Sequence, residues 1–371
     1  MTKVIPLESI QRRQKLLRAQ LHSRRLNAYI VFSPENLRYL TGYTGEAACL
    51  LFSLDYCYLI TDYRFVQQAT TECQLTQIIE RDRDAQSLGQ CLAALCNEFH
   101  LTAIAFESDK VSVAQWQKIA LDLAGYHCTP LNSCIEELRK KKEAWEVEQI
   151  RQAARIGDEA LAIALRTLKL GVTEKAFATT LEYQLAQLGS EGIAFATIAV
   201  FGENTALPHG MPSQKSLADG DFITIDFGAV VNGYRSDMTR SYIYGSASDK
   251  QLALIQTVLK AQQAALNILR PGISACEANT RAQEILEASE FAQHAGPGLG
   301  HGLGLFLHEQ PHIGAHCMDQ LSSGFVVTVE PGIYIPNFGG ARFEDDVLIT
   351  HHGIEILTQA PKHYRLPHEN N

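Results

Sequence analysis

No stretch of this sequence approaches the roughly 20 consecutive apolar residues that a membrane-spanning helix needs, which excludes a helical membrane protein. Basic charge is in deficit: 32 Lys and Arg stand against 41 Asp and Glu, a formal charge of −9. Without a basic stripe to displace counterions, nucleic acid is excluded as a partner. The nine cysteines include no C-x-x-C pair, and an odd, unclustered set reads as buried thiols in a reducing compartment. The opening MTKVIPLESIQRRQKLLRAQ lacks the apolar core of a secretory signal, so the expected location is the cytoplasm. Also missing are G-x-S-x-G, G-x-x-x-x-G-K and G-x-G-x-x-G, which leaves serine hydrolases and nucleotide binders without a motif. There are no internal repeats and no low-complexity segment.

What remains is 371 residues of ordinary globular composition, 46% apolar and 20% charged, enough for two or three domains. The first third predicts alternating elements: a helix from Glu8 to Leu26, a strand Ala28–Phe32, a hairpin of Ala48–Phe52 and Tyr56–Thr61, and strands near Thr76–Ile79 and Thr102–Phe106. This is an α/β domain, expected over residues 1–135. The run Arg139-Lys140-Lys141-Lys142 reads as a solvated helix start. After it, Trp145, Val147, Ile150, Ala154, Ile156 and Leu161 fall mostly on one helical face and open a second, α+β domain over 136–371. A helix is expected after Gly171 and another from Asp249 to Leu269, stopped by Pro271-Gly272. The polar residues Pro361 to Asn371 are expected to fray.

Asp221–Gly245 is the most informative segment. Asn232-Gly233 is the preferred pair for a two-residue type I′ turn, so the segment predicts a β-hairpin. Cross-strand partners then sum to 465, which sets Asp226 opposite Thr239 and Gly228 opposite Asp237, with both aspartates on one face. Ile223, Ile225 and Phe227 take the other, apolar face. Two carboxylates so placed repel by about 4 kcal/mol at 4 Å in an effective dielectric of 20, and a proton or cation must compensate. Histidines crowd the later chain, ten of thirteen after residue 200. His301 lies among glycines that let backbone approach a bulky centre, Glu330 stands where the apolar run Phe325–Val329 stops, and Glu344 interrupts a strand whose alternation does not call for it. Asp226, Asp237, His301, Glu330 and Glu344 together offer four carboxylates and one imidazole. That set neutralises two divalent cations, Mn²⁺ first, with Co²⁺ or Zn²⁺ as alternatives. Two such ions about 3.5–4 Å apart lower the pKa of a water toward about 7 and polarise a carbonyl, which is amide-hydrolysis chemistry. His308-Glu-Gln-Pro-His312 spells H-E-x-x-H, but Pro311 and the glycines before it argue against the helix that signature needs.

The motifs ALPHG (206–210), TIDFG (224–228), YRSDMTR (234–240), GHGLGLFLHEQP (300–311), VEPGIY (329–334) and GARFEDD (340–346) give the chain a strong resemblance to the metallopeptidase family of aminopeptidase P, prolidase and methionine aminopeptidase. The resemblance covers nearly the whole chain. It implies a creatinase-like N-terminal domain followed by a pita-bread catalytic domain of two pseudo-symmetric α+β halves. Carried over position by position, Asp226 binds one metal, Asp237 and Glu344 bridge, and His301 and Glu330 complete the site. Glu330 also takes the nucleophile's proton, while His209 and His308 match the family's supporting histidines. Arg342 is expected to pair with a nearby carboxylate. Glu330 and Glu344 lie 14 residues apart, a spacing similar to that of bacterial proline-specific members. Residues 40–69 resemble the N-terminal domain of bacterial aminopeptidase P, so the leading expectation is an Xaa-Pro aminopeptidase acting on proline-containing peptides. The alternative is an Xaa-Pro dipeptidase. A non-catalytic binding module on the same fold is the remote third, opposed by the complete ligand set. Self-association, as a homodimer or a larger homo-oligomer, follows from the resemblance alone. Two positions depart from the family pattern: Pro297 stands where a histidine is usual, with His294 three residues earlier, and Phe343 replaces Ile or Val.

Overall fold

The computed structural model describes residues 5–367. The chain divides into two units, Met1–Leu138 and Arg139–Asn371. The expected division at 135/136 falls inside a short helix, Cys134–Arg139, and the observed one lies three residues later, before that helix's last residue.

In the first unit the order is α1 (Leu7–Ser23), β1 (Ala28–Val31), α2 (Pro34–Thr41), β2 (Cys49–Ser53), β3 (Cys57–Thr61), α3 (Val66–Glu72), β4 (Gln77–Glu80), α4 (Leu88–Glu98), β5 (Ala103–Phe106), α5 (Val113–Asp122), β6 (His127–Pro130) and α6 (Cys134–Arg139). The strands form one sheet in the order β4-β3-β2-β1-β5-β6. Only β2 runs antiparallel to its neighbours; β1 with β5, β5 with β6, and β3 with β4 are parallel. β1 and β2 are buried along their whole length, as expected of strands covered on both faces. α1 buries Ile10, Leu17 and Leu21 on one stripe, and its Arg13 and Gln14 donate to the carbonyls of Tyr39 and Leu40 at 3.1 Å, satisfying the last turn of α2.

Just after β5, Glu107 is almost fully buried and accepts hydrogen bonds from the Phe32 and Ser33 N–H groups and the Asn36 amide at 2.6, 2.8 and 2.6 Å. Burial outweighs these donors and lifts its pKa to about 7. The folded state therefore holds a proton that the unfolded chain releases near pH 4.5. The contribution of Glu107 to stability is complete below about pH 4.5 and is lost as pH rises through about 7. Urea unfolding of wild type and Glu107→Gln should show a stability difference that changes by roughly 3 kcal/mol over that window, wild type losing ground as pH rises. A constant difference would contradict the assignment.

The second unit continues with α7 (Ala144–Ala164), α8 (Glu174–Gln187), β7 (Ile198–Phe201), β8 (Phe222–Phe227), β9 (Val230–Val231), β10 (Tyr234–Arg235), β11 (Met238–Tyr244), α9 (Asp249–Ile268) and α10 (Ala275–Glu287). Then come β12 (Gly298–Gly302), β13 (Glu309–Gly314), β14 (Val326–Val329), β15 (Gly332–Ile335), β16 (Gly339–Arg342), β17 (Asp345–Ile349), β18 (Ile354–Ile356) and β19 (Arg365–Leu366). Two principal sheets, β19-β11-β8-β7 and β13-β12-β14-β17-β18, each pack against a pair of helices. α7 and α8 cover the first through Leu161, Phe177 and Leu181 against Ile223, Ile225 and Phe227. α9 and α10 cover the second through Val258, Ala278 and Leu286 against Val327, Val329 and Val347. Each half thus keeps one sheet face apolar and leaves the other for chemistry. α9 and α10 both begin at a serine whose side chain closes a capping box, with Gln251 and Glu277 respectively.

Three expectations fail here. The basic run is solvated only at Lys141: Arg139, Lys140 and Lys142 are buried and paired with Glu309, Asp319 and Glu309. Those acids lie more than 160 residues along the chain, out of reach of any local reading. The tail does not fray through 361–367, because β19 adds to β11 as a parallel strand; residues 368–371 lie outside the described residues. Of the cysteines, Cys73, Cys128, Cys276 and Cys317 are half-buried, and only the other five are fully inside; all are free thiols.

Candidate metal centre

The hairpin forms in the expected register. Asn232 and Gly233 take φ of 47° and 70°, the left-handed pair a type I′ turn requires. Asp226 pairs with Thr239. The Phe227–Met238 pair on one side and the Ser236 N–H to Ala229 carbonyl bond on the other bracket Gly228 opposite Asp237. Glu191 holds the turn by accepting from the Asn232 and Gly233 N–H groups at 2.8 and 2.9 Å. Tyr234 ties it to α7 through a 2.7 Å bond to Glu146.

The other half brings its residues to the same place. His301 sits on β12, and Glu330 follows the last residue of β14. Glu344 occupies the gap between β16 and β17, not a continuous strand as its sequence suggests. Gly300 has to be glycine, since a Cβ there would meet the Thr328 carbonyl oxygen at 2.1 Å. All five expected ligands, with His209, His308, His294, Pro297, Tyr334 and Arg342, line one cavity of about 690 Å³. Asp237, His301 and Glu344 bring ligand atoms within 4.8 Å of one another. Glu330 joins them, its Oε1 3.4 Å from the His301 Nε2. Asp226 lines the cavity but stands outside that tight cluster, its Oδ2 taken by Arg342 at 2.5 Å.

Two hydroxyls that sequence reading passed over order these groups. Thr328 donates to Glu330 at 2.9 Å and accepts from the His301 N–H at 3.1 Å. Thr239 donates to Glu344 at 2.7 Å and accepts from the Arg342 Nε at 2.9 Å. The period-two pattern already puts Thr239 on the face of Asp237 and Thr328 on that of Glu330. Tyr334 accepts a further bond from Arg342 at 2.7 Å. Arg342 therefore has the structural pairing expected of it.

The donor set fits a cation. The His301 Nδ1 lies 3.0 Å from the Gly302 carbonyl, which can only accept, so Nδ1 carries the proton and Nε2 presents a lone pair. Burial lowers the pKa of this imidazole, so it is neutral. Its lone pair faces carboxylate oxygens of Glu330 and Asp237 at 3.4 and 3.6 Å, a repulsive arrangement unless a cation or a proton lies between them. The Asp226 Oδ1 is buried and has no hydrogen-bond partner. Burial, then mutual repulsion, pushes Asp237 and Glu344 well above the usual carboxylate range, and burial raises Glu330 to about 7 against the pull of Arg342. Four acids share this site with a single buried guanidinium. At the mouth, His308 crosses His301 edge-on with ring centres 4.4 Å apart, and its pKa is lowered by partial burial and by His301. The H-E-x-x-H segment is not a helix, as the proline argued: His308 ends a bend and strand β13 begins at Glu309, whose carboxylate pairs with Arg139 and Lys142.

Residues 148–351 match Metallopeptidase family M24, and residues 12–141 match the Creatinase/Prolidase N-terminal domain. The chain belongs to metallopeptidase family M24. Its fold is a creatinase-type N-terminal domain followed by a pita-bread catalytic domain. The Xaa-Pro dipeptidase of Pyrococcus furiosus is 40% identical over 232 residues, 62% of this chain and 67% of that one. Among solved structures, the Xaa-Pro dipeptidase from Bacillus anthracis superposes with a TM-score of 0.92 at 31% identity, covering 96% of this chain and all of that one. The X-Pro aminopeptidase from Thermotoga maritima gives 0.86 at 32% identity, over 93% and 100%. This M24 peptidase has no helix, among the described residues, long and apolar enough to cross a membrane.

Proposed function

We propose that this M24 peptidase is a dinuclear Xaa-Pro dipeptidase, held by Asp226, Asp237, His301, Glu330 and Glu344 to two divalent cations, Mn²⁺ first. This reverses the order given by motif spacing, which put the aminopeptidase ahead. The reading rests on one observation, the whole-length likeness to the B. anthracis Xaa-Pro dipeptidase, and the P. furiosus relative points the same way. The T. maritima structure favours the aminopeptidase as the second reading.

When bound, the ions supply an activated water and a Lewis acid for the scissile carbonyl. The residues do the rest. Glu330, steadied by the Thr328 hydroxyl, takes the proton released by the attacking water and returns it to the departing proline nitrogen. His308 hydrogen-bonds the developing oxyanion, and His209, exposed in the cavity wall, holds the peptide. A homo-oligomer of this chain belongs to the same proposal and is read by light scattering.

Two assays test the function. Removal of metal by a chelator should abolish hydrolysis, and Mn²⁺ should restore it with two ions per chain. Proline release from Xaa-Pro dipeptides should exceed release of the first residue from Xaa-Pro-Xaa tripeptides. Cleavage of tripeptides alone would return the aminopeptidase to first place.

A further inference from the structure

The basic run 139–142 is the one singled-out motif that the metal centre does not use, and its burial needs a reason. Arg139 and Lys142 both reach Glu309, the latter at 3.0 Å, with the side chains 5%, 2% and 7% exposed. Taking three charges out of water costs several kcal/mol per ion before pairing offsets it. What the pairing holds is specific. Glu309 is the first residue of β13 and closes the loop that leaves β12 just after His301. Its Oε1 also accepts from the Phe306 N–H at 3.0 Å, inside that loop. The carboxylate lies against Gly304, where a Cβ would come within 2.8 Å of it. Lys142 is itself fixed, its N–H donating to the Gly324 carbonyl at 2.8 Å. Burial would raise the Glu309 pKa, but the two cations hold it down at about 2, so the carboxylate stays charged. His308 is the last residue of the bend before β13, bonded directly to the clamped Glu309, and it lines the cavity. His308 is itself exposed, and no hydrogen bond of its own pins the ring among the described residues.

We propose that Arg139, Lys142 and Glu309 form a buried ionic clamp that positions His308 at the mouth of the metal cavity. Glu309 and its partners touch neither the cavity nor the ligands and act through the loop backbone. The inference rests on the peptidase reading of the cavity but not on which peptide is cleaved.

The test is a double-mutant cycle with a spectroscopic arm. Lys142→Met leaves Arg139 on Glu309 and so keeps the carboxylate paired; Glu309→Gln is the harsher variant. Each should lower kcat by roughly 10–100-fold, the usual cost of a lost supporting contact, with KM and metal content per chain unchanged. In a His308→Ala background the same substitutions should lower kcat by less than about two-fold, since nothing is left to position. The His308 ring resonance, assigned by its loss in His308→Ala, should be single in wild type and broadened or split in Lys142→Met. That arm needs no substrate, so it stands or falls apart from the dipeptidase reading. Equal losses with and without His308, an unchanged ring resonance, or a fall in metal content matching the fall in rate would each overturn the clamp.

Discussion

Replacing Asp237 by alanine is expected to reduce peptide hydrolysis by about 10³-fold or more, the several kcal/mol of charge stabilisation that a metal site supplies, and to drop metal content below two ions per chain. Asp237 is 4% exposed, its N–H is held by Asp346 at 3.0 Å, and its carboxylate stands within 4.8 Å of the ligand atoms of both His301 and Glu344. The other carboxylates are oriented by their own hydrogen bonds, Glu344 to Thr239, Glu330 to Thr328 and Asp226 to Arg342, and are ligands in their own right. The fold should survive. In the metal-free state Asp237 is pushed toward protonation by burial and by Glu344, Asp226 and Glu330. Its removal relieves that strain, and the metal-free variant should melt no lower than metal-free wild type. Metal analysis, rate measurement and thermal melts on the same preparation check all three. Full activity with two ions bound would remove Asp237 from the site.

The second large effect concerns stability. Arg240 is 1% exposed, ion-pairs with Asp345 at 2.8 Å, and donates to the carbonyls of Ala360 and Thr239 at 2.9 and 3.0 Å and to that of Glu344. One guanidinium therefore ties the aspartate-bearing hairpin to the gap that holds Glu344 and to the chain beyond β18. Arg240→Met leaves a buried carboxylate short of a partner and takes the guanidinium from the Ala360 and Glu344 carbonyls, while the Thr239 carbonyl keeps the Glu344 N–H at 3.1 Å. Breaking such a pair costs roughly 3–5 kcal/mol, which for a unit of this size lowers the melting temperature on the order of 10 °C. Lys362 and Thr358 also reach Asp345 and keep the loss finite. A melting point within a degree or two of wild type would mean that Arg240 is dispensable.

These two residues mark how far the sequence could be read. The hairpin was legible because Asn232-Gly233 admits few backbone solutions, and its register followed by counting. Of the five residues that line the cavity, the two aspartates were legible through the hairpin and the others because they break their surroundings: an acid where a strand stops, a histidine among glycines. Arg240 gave no such sign, since an arginine inside YRSDMTR looks like any strand residue until the fold wraps Ala360 and Asp345 around it. Thr239 and Thr328 were hidden for the opposite reason: threonine is at home in strands, and nothing local tells a hydroxyl that orders a ligand from one that fills space. The run 139–142 misled because like charges in sequence usually mean solvent, whereas here Glu309 and Asp319 arrive from the far end of the unit. Even the FEDD segment divides its labour: Glu344 turns to the cavity, Asp345 to Arg240 and Asp346 to the Asp237 backbone. Composition treats these three acids as equivalent; the folded chain does not.

The two-residue strand β19 has a consequence out of proportion to its length. By lying alongside Ile243 and Tyr244, and accepting from the Ile243 and Gly245 N–H groups at 2.8 Å through Tyr364 and Leu366, it turns β11 from a border into an interior strand. Trimmed back past Tyr364, the protein would show a bare row of donors and acceptors on the ribbon that bears Asp237, an open invitation to stitch onto a second molecule. A shortened or proteolysed preparation should therefore clump before it loses its catalytic pocket.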